Sequence, residues 1–370
     1  MRIVADNKIP FLKGVFEPWA EVVYLPGKAI DAAAVKGADA LIVRTRTRCN
    51  KALLEHSGVR HIATATIGFD HIDVPEVESL GITWNNAPGC NAASVGQYMA
   101  CALQTLGTGL AGKTLGVVGV GHVGTIVAAY AEALGMKVLR NDPPRRAAGE
   151  TGFVSLDEVL ESSDIVTLHV PLEYGGPFPT FHMADGTFFA RMKKGAFFFN
   201  ASRGEAAESA AVKKALRGGR LSGAALDVWE NEPDIDRELL DMCSIGTMHI
   251  AGYSADGKAN GTAASVRAVA AALGIPELAD WSPAAMPEPT RPACFVFTSV
   301  KGALLHTYDP CEDSARLKAA PEQFEELRGS YPVRREFRAF TVTEVPPEKQ
   351  QCLERFGFRT VVRRSGEEKS

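Results

Sequence analysis

Residues 114–142 read TLGVVGVGHVGTIVAAYAEALGMKVLRND, and this stretch decides the fold. Thr114 to Val118 is a short apolar run rich in branched side chains, the composition of a buried parallel strand. Gly119, Gly121 and Gly124 follow in a G-x-G-x-x-G spacing. Thr125 to Leu134 is rich in alanine and reads as a helix that Gly135 stops. Lys137 to Leu139 begins a second strand, and Asp142 stands just past its end. Each glycine has a mechanical reason. Gly119 allows the turn out of the strand, Gly121 lets the backbone approach a diphosphate, and Gly124 lets helix and strand pack closely. The backbone of His122 and Val123 lies in the same turn, where free N–H groups and the positive end of the helix dipole favour phosphate. A carboxylate at Asp142 suits the two hydroxyls of an adenine ribose and repels a 2′-phosphate, so the cofactor expected is NAD. Arg145 and Arg146 read as solvated loop charges.

The same alternation of strands and helices extends both ways. Upstream, strands are expected at Arg2–Ala5, Val22–Leu25, Ala40–Val43, His61–Ala65 and Ile82–Trp84, with helical pieces such as Asp31–Lys36 and Lys51–His56. Downstream, strands are expected at Asp164–His169, Gly195–Phe199, Leu221–Val228 and Ile245–Thr247, and a helix at Asp256–Leu273. The fold class is therefore α/β: a doubly wound Rossmann domain at residues 94–254, and a flavodoxin-like domain at residues 1–93 and 255–285. A proline-rich linker, Ile275 to Pro292, leads to a small α+β module at 286–370, with strands expected at Cys294–Phe297, Phe337–Thr341 and Thr360–Val362. Its expected role is oligomerisation or packing.

The chain has 370 residues and a formal net charge of −4, with 46% apolar and 23% charged residues. Nothing in that balance points to nucleic acid or a membrane surface as partner. Seven scattered cysteines without a C-x-x-C pair read as reduced thiols, not as a metal or disulfide framework, and no metal is expected. The N-terminus lacks the apolar core of a signal peptide, so a cytoplasmic protein is expected. Cys90 reads as a structural thiol.

Arg203, Glu232 and His249 each stand just past an expected strand of the Rossmann domain, at the sheet edge where such folds bind ligands. Each type fits a task in oxidising a 2-hydroxy acid. His249 takes the alcohol proton, because an imidazole titrates near working pH. Glu232 bonds the far ring nitrogen and favours the protonated form. Arg203 offers a planar fork for the substrate carboxylate. Asp227, on the strand before Glu232, is expected near the nicotinamide ribose or carboxamide. The turn Arg44-Thr45-Arg46-Thr47-Arg48 has the cations and hydroxyls to hold a small anion, although surface charge explains Arg46 and Arg48 as well.

These blocks resemble a known family. GVVGVGHVG, NASRGE, LDVWENEP and HIAGYS are similar to the signature segments of the D-isomer-specific 2-hydroxyacid dehydrogenases. TRTR, TATIGFDHID, NAPGCNA, NDPPR, ADGTFF and RGSYPVRREF resemble a branch of that family with an additional C-terminal domain. The likeness covers nearly the whole chain. It implies oxidation of a small phosphorylated 2-hydroxy acid, 4-phospho-D-erythronate, with NAD. It also implies a cytoplasmic homodimer joined through the C-terminal domain, and a lid that closes over substrate. By resemblance, Arg203, Glu232 and His249 match the active-site arginine, acid and proton donor. Gly119, Gly121, His122, Val123, Gly124, Asp142, Val170, Asp227 and Gly252 match the cofactor contacts. Arg44, Thr45, Thr66 and Tyr253 match the substrate contacts. Four places depart from the pattern: Ala206-Ala207-Glu208 after NASRGE, Met248 where a proline is common, Val170 where a hydroxyl is usual, and Thr45 in place of serine. Two rivals remain open: a sister enzyme for an unphosphorylated acid such as glycerate or lactate, and an NAD-binding interaction protein without turnover.

Overall fold

The computed structural model describes residues 1–107 and 109–363. The chain divides into two compact units, Met1–Asn91 with Ser254–Pro287, and Ala92–Tyr253 with Glu288–Ser370.

The first unit is built on five strands: β1 (Arg2–Asp6), β2 (Glu21–Leu25), β3 (Ala40–Val43), β4 (His61–Thr64) and β5 (Thr83–Asn85). All pairs are parallel, in the order β2-β1-β3-β4-β5. That is the flavodoxin-like order. Ile3, Ala5, Ala40, Ile42 and Ala63 enter one core with Val266, Val269 and Ala270 of the helix Ala255–Leu273. Val4, Leu41, Val43 and Ile62 enter the other with Leu53, Leu54 and Val77. Successive residues thus feed opposite faces, which is why these strands read as unbroken apolar runs. Residues 32–37 form turns where the sequence suggests a helix at Asp31–Lys36. Six residues gain too few intrahelical bonds to offset nucleation.

The second unit holds β6 (Thr114–Val118), β7 (Lys137–Asn141), β8 (Ile165–Leu168), β9 (Ala196–Asn200), β10 (Leu221–Leu226) and β11 (Ile245–Gly246). The sheet is parallel, in the order β7-β6-β8-β9-β10-β11. A Rossmann sheet carries one further strand beyond β7. Here its place is held by a single backbone bond, Val154 N–H to Arg140 O at 2.8 Å. The order reverses between β6 and β8, and the glycine turn leaves β6 at that point.

The C-terminal module belongs to this second unit. Its sheet is β12 (Cys294–Val296), β13 (Thr341–Val345) and β14 (Arg359–Val362), all parallel. The strand expected at Phe337–Thr341 is displaced: Phe337–Ala339 form a 3-10 turn, and β13 begins at Thr341. Phe337 and Phe340 share the spacing of that turn and are both buried in the core, so aromatic content marks packing here rather than extended backbone. Ser94 donates to Glu336 at 2.8 Å, Gln97 donates to Thr307 at 3.1 Å, and Tyr130 donates to Phe356 O at 3.1 Å. The module thereby shares one core with the helices Ala92–Gln104 and His122–Ala133.

Candidate active site

The glycine turn has the shape that its spacing demands. Gly119 sits at φ +85°, and a Cβ there would lie 2.5 Å from His169 O and 2.9 Å from Val170 Cγ1. A Cβ on Gly121 would meet nothing within 4 Å, so the backbone is open to a ligand. On Gly124 it would lie 2.0 Å from Gly119 O. His122 opens the helix His122–Ala133, whose N-cap, Gly121, brings no side-chain bond to the end. An uncapped helix start beside open backbone fits a diphosphate. Gly124→Ala is expected to destabilise the second unit by about 1–3 kcal/mol through overpacking, read as a lower melting midpoint.

Asp142 closes this turn from the end of β7. One carboxylate oxygen accepts from Val120 N–H at 2.8 Å and the other from Arg145 N–H at 3.1 Å. Arg145 turns its guanidinium to Val120 O at 2.6 Å and to both oxygens of Glu150. Arg145 is thus held by Val120 and Glu150, while the Asp142 carboxylate is held by two backbone N–H groups.

Arg203, Glu232 and His249 come from three adjoining segments. Asp227 N–H bonds Asn200 O at 2.9 Å, and His249 N–H bonds Asp227 O at 2.7 Å, which ties the ends of β9, β10 and β11 together. A Cβ on Gly204 would lie 2.0 Å from Trp229 O, so the Arg203–Gly204 turn is pressed against the segment leading to Glu232. Arg203 is half-buried and donates through Nη1 to Ser202 O at 2.9 Å. Of the two glutamates in LDVWENEP, Glu230 is taken by His182 at 2.6 Å and by Ser209 N–H at 2.7 Å. Glu232 accepts from Trp229 N–H at 3.0 Å with one oxygen, and its other lies 2.7 Å from His249 Nδ1. That bond orients the ring so that Nε2 is left for proton exchange. The His249 side chain remains 32% exposed, enough for a reactant to reach it. Met248, at the place where a proline is common, is buried.

Asp227 lies just past the end of β10. It is 1% exposed. One oxygen accepts from Thr247 Oγ1 at 2.6 Å and Ile250 N–H at 2.8 Å, and the other from Ala251 N–H at 2.8 Å. The carboxylate is a brace for the loop that follows His249. Gly252 lies in a turn closed by Tyr253 N–H to Ile250 O at 2.8 Å. Two residues that sequence reasoning does not find also reach this loop: Arg328 Nε donates to His249 O at 3.3 Å, and Arg334 Nη2 donates to Ile250 O at 3.1 Å. Their one signal is the RGSYPVRREF segment, whose basic and aromatic residues carry no recognisable site spacing.

In the first unit Arg44 and Thr45 follow β3 and Thr66 follows the neighbouring β4, so all three stand at one edge of that sheet. Arg44 Nη1 donates to Lys8 O at 3.4 Å, and Thr45 is exposed. Thr66 Oγ1 donates to Gly68 O at 2.8 Å and lies 2.7 Å from Thr64 Oγ1. Thr47 instead bonds Gly27 O from a buried position and serves the fold. The seven cysteines are free thiols, and among the described residues no group of three or more His, Cys, Asp or Glu could hold a metal. No helix among the described residues is long and apolar enough to cross a membrane.

His169, whose carbonyl touches the glycine turn, gives this unit an acid sensitivity. Burial pushes its imidazole down to about 3. The folded state keeps the ring neutral while the unfolded state protonates it below about 6.5, so stability falls as pH drops from 6.5 toward 3, by at most ~1.4 kcal/mol per pH unit from this group. His169→Gln is expected to flatten that slope in urea melts taken between those pH values.

The chain resembles known proteins along its length. Residues 91–251 match the D-isomer specific 2-hydroxyacid dehydrogenase, NAD binding domain family, and residues 294–357 match a domain of unknown function, DUF3410. It is 50% identical over 348 residues to an erythronate-4-phosphate dehydrogenase from Bacteroides fragilis, covering 92% of this chain and 99% of the relative. It is 42% identical over 370 residues to the one from Porphyromonas gingivalis, covering 97% and 100%. Among solved structures, the D-lactate dehydrogenase of Aquifex aeolicus in complex with NAD and lactic acid superposes with a TM-score of 0.63, at 26% identity, over 75% of this chain and 97% of that one.

Proposed function

Because the chain belongs to the erythronate-4-phosphate dehydrogenases, a branch of the D-isomer-specific 2-hydroxyacid dehydrogenases, we propose that it oxidises 4-phospho-D-erythronate to 2-oxo-3-hydroxy-4-phosphobutanoate with NAD. The step belongs to pyridoxine 5′-phosphate (vitamin B6) biosynthesis. The observation that supports this most strongly is the His249–Glu232 pair at 2.7 Å, on a loop tied to the ends of β9 and β10.

NAD, when bound, accepts the hydride from C2. The chain's own residues do the rest. His249 Nε2 takes the hydroxyl proton as the C2–O bond becomes a carbonyl, and Glu232 stabilises the imidazolium that forms. In the reverse direction the same imidazolium returns the proton. Arg203 binds the carboxylate with its fork and favours charge on the C2 oxygen. Arg44, Thr45, Thr66 and Tyr253 correspond by resemblance to the family's substrate contacts. Asp142 receives the adenine ribose, and the backbone from Gly119 to Gly124 receives the diphosphate, with Val170 and Gly252 lining the cofactor. Asp227 fixes the loop that carries the base. The protein works in the cytoplasm as a homodimer joined through its C-terminal module.

The test is the absorbance of reduced nicotinamide with a panel of acids. 4-Phospho-D-erythronate is expected to turn over at least about tenfold faster than glycerate or lactate, the discrimination a charged anchor of more than 1.4 kcal/mol gives. Equal rates would remove the phosphate assignment, and NAD binding without any turnover would leave a non-catalytic binding protein. Sedimentation of a chain ending near Ala285 tests the assembly: a surviving dimer contradicts the role given to the C-terminal module.

A further inference from the structure

We infer that the C-terminal module supplies two positioning residues, Arg328 and Arg334, that fix the catalytic loop by clamping its peptide groups against Asp227. This rests on the reading of His249 as the group that exchanges the proton.

His249 has φ +57°, a left-handed backbone that a side-chain-bearing residue adopts only at a cost. Something must hold it there. In the peptide group joining His249 to Ile250, the N–H of Ile250 points to Asp227 Oδ1 at 2.8 Å, and the carbonyl of His249 accepts from Arg328 Nε at 3.3 Å. In the next peptide group, the N–H of Ala251 points to Asp227 Oδ2 at 2.8 Å, and the carbonyl of Ile250 accepts from Arg334 Nη2 at 3.1 Å. Arg334 Nη2 also donates to the carbonyl of Ala251. Two successive peptide dipoles are therefore each held between an anion at the hydrogen end and a cation at the oxygen end. A peptide plane pinned at both ends cannot rotate, and the ψ of His249 is set by the first of these planes.

Arg334 is itself placed with care. It is 5% exposed, and its guanidinium lies over the Tyr308 ring, 4.5 Å from the centroid. Its Nε and Nη1 have no hydrogen-bond partner, so its fork is spent entirely on the loop. The hydroxyls of Tyr308 and Tyr331 both donate to Asp313 Oδ2, at 3.0 and 2.7 Å, which locks the aromatic wall around it. A buried cation bonded only to carbonyls of one loop is a costly arrangement that simple packing does not require. Arg328 lies over the Tyr253 ring at 5.3 Å and is only half-buried, so it can be changed without opening the core.

The experiment uses the full chain with Arg328→Gln, Arg334→Met and Arg334→Lys. Two measurements are made. The first is amide hydrogen exchange of Ile250 and Ala251 without substrate, which asks for no turnover. The second is kcat with its pH profile, alongside KM for NAD. Arg328→Gln and Arg334→Met are each expected to speed exchange at these amides by about tenfold or more, the loss of a charge-assisted bond. Each is also expected to lower kcat by between about 10- and 100-fold, to move the acid limb of the profile as the imidazole leaves Glu232, and to leave KM for NAD within about twofold. Arg334→Lys is expected to recover part of kcat, since it restores one donor. If Arg334→Met does not fold, Arg328→Gln decides alone. Unchanged exchange at both amides, or unchanged kcat and pH profile in folded Arg328→Gln, overturns the inference. Faster exchange in a protein whose wild type turns over no acid would leave the clamp standing and the proposed function fallen.

Discussion

His249→Ala is expected to lower kcat by about 10²- to 10⁴-fold, the range that a positioned general base contributes, with NAD affinity nearly unchanged. The imidazole lies in the loop braced by Asp227, and its removal leaves that brace intact, because His249 joins it only through backbone atoms. Glu232→Gln is the graded companion. It keeps a partner for Nδ1 but removes the charge that stabilises the imidazolium, so kcat should fall less than in His249→Ala. Stopped-flow hydride transfer with titrated NAD separates the two effects. A His249→Ala enzyme within tenfold of wild type would show that the proton leaves by another route.

Asp227→Asn should have the second-largest effect, and on stability as well as rate. The carboxylate is fully buried and accepts from one hydroxyl and two backbone N–H groups. An amide in its place must turn a donor toward another donor. Leaving a buried N–H facing an NH₂ group while losing charge-assisted bonds is expected to destabilise the second unit by about 3 kcal/mol, a fall of roughly 6–12 °C in melting midpoint for a unit of this size. Because the loop after His249 loses its anchor, kcat should fall along with stability. Thermal melts with and without NAD, and kcat at low temperature where the variant stays folded, give both. A variant that melts like wild type would mean that the three bonds to Asp227 contribute little.

Most of this architecture was legible because it is written locally. The unit around Gly119 to Gly124 is one strand, one turn and one helix, and Gly124 answers to a contact five residues away, the 2.0 Å approach to Gly119 O. Arg203, Glu232 and His249 could be grouped from sequence because a doubly wound parallel sheet brings strand ends to one edge, whatever the loop lengths between them. The bonds by which Asp227 braces the loop were not legible. A buried acid and a cofactor-facing acid look alike in sequence, and the difference lies in three donors from residues 247–251. Arg328 and Arg334 were hidden for a stronger reason. They come from a module with no chemical motif, and nothing local says which carbonyls their side chains will meet. The misplaced strand at Phe337 has the same origin, since its rings answer to distant packing partners.

The two arginines lie 79 and 84 residues beyond the loop positions they hold. A ribosome adding about 5–20 residues per second therefore finishes His249 roughly 4–17 s before it finishes Arg334. During that interval the loop after His249 lacks both cations that hold its carbonyls. An incomplete translation product that stops in the proline-rich linker would therefore carry His249 on a loop without its two cationic anchors.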